Sequence, residues 1–585
     1  MLHRKDAKET QNFIRKGVFD MTYRSKKLGL YSGKGSSSRR AIYKGCGYDD
    51  GDLDKPLIGI VNTANDAGLG HVHLDRLANR VRAGILQAGG TPFEFGTIAT
   101  CGAVPIGMPH FRYELVIRDV IASSVEIMTG VQLLDGLVLL ASCDSIIPGV
   151  LMGAIRADVP AIIITGGPQE VCVMENRNVV MSELDQLVFG ADFASDEAKG
   201  KIRYLEDHVC PGPGACSLMG TANTMQILME GIGMALPGSS AVPAVYAEKE
   251  RYATQTGRRI VDLVKQNVKP KDILTREALL NGVILTLAIA GSTNAVLHLL
   301  SFAREVGVEL TLDDFDRLSE TVPVISRVIP TGKASVIDLY KAGGVPAVMG
   351  EMRDFLYGEC VTVSGHTVGE ISQLRRSSDP ATLTSVDEPV FKNGGIVVIK
   401  GNLSPNGAIC RTTTISEKTR KFTGPARVFH SDEEAHEAVV SRKIQRGDVI
   451  VIRYEGPRGA PGMREMMMTT DALVGIGMGQ DVFVLTDGRF SGFTEGAAIG
   501  HISPEAAIGG VIAIVEDGDT IRIDIDNRTA DLDLPQEEIE RRLENWKLPL
   551  KKSKGILGIY AKTALQAHQG GMIDDEVANE DQVLK

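Results

Sequence analysis

The chain has no run of eighteen apolar residues, the length a membrane-crossing helix needs, and no block of lysine and arginine. The first absence argues against a membrane span. The second, together with a formal net charge of −11, argues against a groove for nucleic acid. The opening stretch MLHRKDAKETQNFIRKGVFD is polar and carries no secretory-signal core. No GxxxxGK[ST] follows an apolar run, no GxGxxG opens a helix, and GYDDGDL falls short of calcium-loop spacing, so ATP, NAD and Ca²⁺ have no support. A GxSxG hydrolase elbow is also missing. Tryptophan occurs once, at Trp546. The eight cysteines (Cys46, Cys101, Cys143, Cys172, Cys210, Cys216, Cys360 and Cys410) are scattered, with no CxxC pair. That spacing excludes a small disulfide scaffold and fits a reducing, cytoplasmic setting in which thiols can ligate metal.

Glycine is abundant instead, at 64 of 585 residues, and gathers at the ends of apolar runs: GGTPFEFG, TGGPQE, PGPGAC, EGPRGAPGM, TDGRFSG. Glycine there permits tight turns and close backbone approach to a ligand, which suggests an enzyme site built from loops on a rigid sheet. A chain this long exceeds what one core sustains, so two domains are expected. Residues 56–168 alternate apolar strands (PLIGIVNTA, TPFEFGTIA, LDGLVLLAS, PAIIITGG) with segments of helical spacing, the pattern of a mainly parallel sheet covered on both faces. In such sheets the site lies beyond the carboxyl ends of the strands, where Cys101, Cys143 and the TGGP turn fall. Residues 215–307 read as helical, with VILTLAIA ambiguous between helix and buried strand. Near 370–390 the composition turns polar, and beyond it short β-like runs predict a smaller β-rich or barrel-like domain. The expected division is an N-terminal extension over 1–34, an α/β domain over 35–385 and a β-rich domain over 386–585, ending in a polar tail from Lys551 that is ordered in part at most.

Each candidate site residue also has a structural reading. Cys101, Cys143 and Cys216 sit at element boundaries, where three thiolates can hold an iron–sulfur cluster with one iron open, or simply pack. Asp144 and Glu455 offer oxygens to Mg²⁺, or a cap and an ion pair with Arg453 or Arg458. Ser491 in TDGRFSG is either a base acting beside a carboxylate or a turn residue. His71 and His73 in GHVH can contact substrate or metal. Arg112, His110 and Arg177 can meet an anionic group or pair on the surface.

Taken together and in order, KPLIGIVNTAND, SCDSIIPGVLMGA, GACSLMGTANTM, ALPGSSAVPA, AGSTNAVLHLL, GNLSPNGAIC, YEGPRGAPGM and TDGRFSGFTEGAAIGHISPEA resemble the dihydroxy-acid dehydratase / phosphogluconate dehydratase family, which includes sugar-acid dehydratases. The resemblance runs from about residue 35 to 570. It implies a large α/β domain holding a [2Fe–2S] or [4Fe–4S] cluster, a C-terminal barrel-like domain, and a homodimer or dimer of dimers. It also implies a hydro-lyase that dehydrates a sugar acid or a short 2,3-dihydroxy acid to a 2-keto acid. By resemblance Ser491 is the base, Cys143 and Cys216 are cluster ligands with Cys101 as the third, Asp144 and Glu455 bind Mg²⁺, and Ser240 lies near the substrate carboxylate. Three positions depart from the family pattern. Gly70 stands where one branch has its first cluster cysteine, Gly102 where an aspartate follows Cys101's counterpart, and Ser145 where some members carry a carbamoylated lysine. The last two remove expected Mg²⁺ ligands, which leaves room for a Mg²⁺-independent lyase, an isomerase-like activity or a non-catalytic binding protein.

Overall fold

The computed structural model describes residues 23–190, 195–549 and 553–574; most of the expected N-terminal extension lies outside them. Four strands, β1 (Leu57–Asn62), β2 (Thr91–Gly96), β3 (Gly136–Ala141) and β4 (Ala161–Thr165), form a parallel sheet in the order β2-β1-β3-β4. Every residue of β1, β3 and β4 is buried, as continuous apolar runs covered on both faces require. β2 is the edge strand, half exposed, and carries Pro92, which a central strand would not tolerate. The connections are the helices Leu74–Gln87, Tyr113–Val131 and Ile146–Ala157. Because β2 lies on one side of β1 and β3 on the other, the chain switches direction at β1, and a crevice opens at the carboxyl ends there. The segment VILTLAIA falls largely within the helix Arg276–Ala288, which is buried on nearly all sides and so reads apolar without a stripe.

A small hairpin, β5 (Cys172–Met174) with β6 (Arg177–Val179), follows the first sheet. The second sheet has eight strands: β7 (Ile396–Ile399), β8 (Ala408–Arg411), β9 (Lys421–Phe429), β10 (Val449–Ile452), β11 (Phe483–Thr486), β12 (Ala497–Gly500), β13 (Thr520–Asp524) and β14 (Thr529–Leu532). Their order is β14-β13-β9-β10-β11-β12-β8-β7, and a bridge between Lys400 and Thr529 brings the two edges together into a near-barrel. Its centre, β9 to β12, is parallel, and the outer pairings are antiparallel. Alternation follows the strand period. Val449 and Val451 face the interior with Phe483, Leu485 and Ile521, while Ile450, Ile452 and Val484 face the helices Asp432–Val440 and Met467–Gly475. Those two nine-residue helices are absent from the β-only reading of this region. The second spreads its apolar residues and its Thr469, Thr470 and Asp471 around the axis and shows no helical stripe. The polar tail returns to the first domain through the helix Gly555–Thr563, where Tyr560 is fully buried and the Ile573 amide donates to Asp119 at 3.0 Å.

Candidate active site

Three thiols meet at the carboxyl ends of the first sheet. Cys101 lies in the loop after β2, and Cys143 in the turn after β3, where its carbonyl accepts the first amides of the helix Ile146–Ala157. Cys216 hangs from the turn after β4, because Ala215 bridges Pro168 and exchanges hydrogen bonds with Gly167 and Gln169. All three line one cavity together with Asp144, Phe111, the start of the helix Thr221–Gly231, Glu465 and Ser491. Burial raises the Cys143 thiol well above its ordinary value, and Cys101 and Cys216 raise it further, a sign that their sulfurs are neighbours. Gly70 lies against this group. A Cβ there would stand 2.6 Å from the Cys143 sulfur, so a cysteine at this position would displace Cys143.

The C-terminal domain contributes the opposite wall. The segments around Met466 and Arg489 are zipped by a bridge between Glu465 and Arg489, with the Met466 amide donating to the Arg489 carbonyl at 2.8 Å. Gly492 then rests on the first domain, close enough that a Cβ would meet the Cα of Gly220 at 2.7 Å. Only glycine allows this approach, and it brings Ser491 to the amino end of the helix Thr221–Gly231. The Ser491 side chain lies beside the Glu465 carboxylate, to which Asn294 Nδ2 donates at 2.6 Å. Asn294 also donates to Thr221 Oγ1 at 3.0 Å, and Thr221 neighbours Asp144. Asp144, Thr221, Asn294, Glu465 and Ser491 therefore gather in one polar group across the domain boundary.

The carboxylates in this group are short of positive charge. Burial pushes Glu465 up to about 7, with Arg489 opposing and Asp144 adding to the rise. Asp144 is raised by burial and drawn back by Arg489 and Arg118. Arg489 Nη1 stands 3.3 Å from Glu465 and 4.0 Å from Asp144. Arg118 Nη1 lies 3.3 Å from His298 Nδ1; an arginine can only donate, so His298 carries its proton on Nε2, which faces Asp144 at 3.5 Å. Burial and the two arginines keep that imidazole neutral. Among the described residues, no three His, Cys, Asp or Glu side chains stand in the arrangement a single metal ion would need.

Several candidates from the sequence lie elsewhere. Glu455 is buried against Arg464, at 2.9 Å and 3.1 Å, and its amide donates to Asp487; the acid of that glycine loop that reaches the cavity is Glu465, ten residues on. Ser240 is fully buried in a turn over Glu230, its amide donating at 2.5 Å, with Lys249 tied to the Ser239 carbonyl beside it. His71 is fully buried, with Nδ1 2.9 Å from Thr63 Oγ1, and burial pushes it down to about 4. His73 holds the Gly166 carbonyl at 2.9 Å. Arg177 pairs with Glu183, His110 stacks on Tyr113, and neither they nor Arg112 line the cavity. Sequence reasoning passed over Glu465, Arg489, Asn294 and His298, although Asn294, His298 and Arg489 stand inside quoted motifs and Glu465 two residues after one.

Asp185, in the helix Met181–Phe189, lies behind Cys216, whose thiol it helps to raise. Burial alone pushes Asp185 up to about 7, and one of its oxygens has no hydrogen-bond partner. Between its ordinary value and about 7 the folded protein holds a proton that the unfolded chain has lost, so rising pH costs stability over that window. Asp185→Asn is therefore expected to raise the thermal midpoint more at pH 8 than at pH 5. Equal shifts at both pH values would show that the carboxyl is ionised in the fold throughout.

Two family models match the chain. The dihydroxy-acid/6-phosphogluconate dehydratase N-terminal model covers residues 55–371, and the corresponding C-terminal model covers 381–571. The dihydroxy-acid dehydratase of Acetivibrio thermocellus is 45% identical over 540 residues, spanning 92% of this chain and 97% of that protein. The dihydroxy-acid dehydratases of Pyrococcus furiosus (44% over 536 residues, 91% and 97%) and Ignicoccus hospitalis (45% over 542 residues, 92% and 97%) are similar over the same extent.

Proposed function

The chain belongs to the dihydroxy-acid/6-phosphogluconate dehydratase family, and from that premise we propose that it is a hydro-lyase converting a sugar acid or a short 2,3-dihydroxy acid to a 2-keto acid. The observation that carries this reading is the meeting of Ser491 and Glu465 from one domain with Asp144 and three thiols from the other in a single cavity.

Ser491 is the base at C2. The residue is 6% exposed and faces the cavity beside the amino end of the helix Thr221–Gly231, whose backbone amides would steady the seryl oxygen as an alkoxide that takes the proton from carbon. Arg489 offsets the negative charge of Glu465 beside it. The amino end of the helix Thr221–Gly231 presents backbone amides to the substrate carboxylate. Phe111, Leu218 and Phe493 limit water around the reacting carbons.

The residues fit the family's cofactors. A cluster spreads its sulfur ligands further than a single ion does, and Cys101, Cys143 and Cys216 surround one space. Asp144 has a buried oxygen without a partner, and Asp144 and Glu465 would be the oxygen donors for Mg²⁺. When bound, an iron–sulfur cluster on the three cysteines would supply a Lewis acid for the departing C3 hydroxyl, and Mg²⁺ would steady the charge that develops at C1 and C2. The chain's own groups handle the C2 proton and the substrate's orientation. The eight thiols, none of them in a disulfide, suit a cytoplasmic setting; assembly as a homodimer or a dimer of dimers belongs to the same reading. No described helix is long and apolar enough to cross a membrane.

The test is turnover of a panel of 2,3-dihydroxy acids, from branched short-chain acids to aldonic acids, by anaerobically purified protein, with the 2-keto acid trapped as its hydrazone. Formation of a 2-keto acid from at least one member is expected. No product from any of them, with protein that carries iron and sulfide, would overturn the reading.

A further inference from the structure

We propose that Arg411, at the end of β8, is a positioning residue for Ser491 that acts through the peptide group between Gly492 and Phe493. This rests on the dehydratase reading above and goes beyond it by assigning a residue to which the sequence gives no role.

The peptide between Gly492 and Phe493 is held at both ends. Arg411 Nη1 donates to its carbonyl at 2.8 Å, and its amide donates to the Ser491 hydroxyl oxygen at 3.2 Å. The peptide is trans and therefore planar, with N–H and C=O pointing in opposite directions. Fixing the oxygen thus aims the N–H at Ser491. Hydrogen bonds in series polarise one another, so a cation at the carbonyl end makes the N–H at the other end a stronger donor. A negative seryl oxygen gains most from such a donor. The same guanidinium also reaches the first domain. Nη2 donates to the Gly291 carbonyl at 2.7 Å, and three residues on, Asn294 donates to Glu465. One side chain ties the Ser491 turn to the loop that carries Asn294.

An ion pair does not account for Arg411. The residue is buried, and burial alone draws its guanidinium down to about 10, with no acid beside it to oppose the shift. It stays charged at neutral pH. Burying a charge without a counter-charge is costly, and an apolar side chain would pack there at less cost. Both of its outer nitrogens serve carbonyls, one from each domain, which the planar fork of arginine allows and a single ammonium does not. Its Nε has no partner, and Arg411 borders a second, small cavity that Ser491 and Thr494 also line. Ser491 therefore stands between the cavity of the three thiols and one bordered by an unpaired cation. The charge is placed where it acts on the seryl oxygen, directly and through the shared peptide.

The test compares kcat, KM, iron and acid-labile sulfide in anaerobically purified Arg411 variants, with the panel acid that the wild type converts fastest as substrate. Arg411→Met keeps the stem and removes both donors. It is expected to lower kcat about a hundredfold, the lower end for a lost oxyanion donor, with KM within about threefold and iron unchanged. Arg411→Lys keeps the charge and can serve one carbonyl, so it is expected about tenfold below wild type. In Arg411→Ala, guanidinium chloride at a non-denaturing concentration is expected to raise kcat severalfold, and sodium chloride at equal ionic strength is not. A kcat within about threefold of wild type in Arg411→Met would overturn the proposal and leave the dehydratase reading standing. So would losses that fall on KM, or that come with lost iron and sulfide and do not answer to guanidinium, since Arg411 would then only hold the domains together. A wild-type chain that carries iron and sulfide yet converts no panel acid would overturn both readings.

Discussion

Ser491→Ala is expected to lower kcat about a thousandfold, in the middle of the range that a positioned general base contributes, while KM moves by less than about threefold. The asymmetry follows from the geometry. Alanine gives up the hydrogen bond that the Phe493 amide donates to the Ser491 hydroxyl at 3.2 Å, but the Thr494 amide still donates to the carbonyl of residue 491 and the strand-like bridge between Glu465 and Arg489 remains, so the turn's backbone stays in place. In the proposed mechanism substrate binding rests on other groups, the helix amino end and the apolar wall, which line the cavity and are untouched. What that mechanism loses is the atom that takes the C2 proton. Solvent exchange at C2 of the substrate gives a second readout and should vanish with kcat. A loss confined to KM, or a variant within tenfold of wild-type kcat, would remove Ser491 from the chemistry and return it to the role of a turn residue. Rescue by Ser491→Thr would be partial, because Gly492 packs against Gly220 and leaves little room for an added methyl.

The second large effect is expected at Cys143. Cys143→Ser should abolish activity and strip iron and acid-labile sulfide from anaerobically purified protein, together with the visible charge-transfer absorption. Cys46→Ser, at an exposed position outside the cavity lining, should leave all three unchanged. The physical basis is that Cys143 is the most enclosed of the three cavity thiols. Buried without a counter-charge, its thiol stays protonated. A cluster that binds as the thiols lose their protons removes that penalty for all three at once. A serine oxygen is a harder and weaker ligand for iron and does not replace the thiolate. Protein that is colourless in the wild type even after anaerobic reconstitution, or Cys143→Ser protein with undiminished iron and sulfide, would rule this cysteine out as a ligand.

Much of the architecture was legible in the residues alone. The apolar runs that become β1, β3 and β4 are continuous because both faces of each strand are covered, and the helices between them carry their own spacing. Those two periodicities place Cys101 and Cys143 at carboxyl strand ends before any coordinates are known. The near-barrel was legible as short alternating strands between glycine and aspartate turns. Its parallel centre was not, because the helices that make parallel crossovers there are short and show no clear stripe.

The site divides along the same line. Local motifs, read as chemistry or through family resemblance, single out Ser491, Asp144 and the three thiols, because each stands in a short glycine-rich or strand-end context of its own. Which acid of the glycine loop faces the cavity is not a local property. Glu455 and Glu465 are both followed within a few residues by turn-forming or bridging segments, and only the pairing of Arg464 with Glu455 and of Arg489 with Glu465 separates their roles. The same holds for Ser240 and His71, polar residues that the fold turns inward to satisfy buried backbone and hydroxyl groups. Glu114 is the extreme case. A glutamate in the first turn of a helix reads as ordinary helix polarity, and only the fold buries its carboxylate 3.1 Å from where a Cβ at Gly102 would stand. Sequence by itself determined the layers, the strand ends and the chemical types gathered there, because those follow from periodicity along one segment. Tertiary structure alone decided which side chains share the cavity and which charges lack a partner, because those depend on distances between segments that no local pattern encodes.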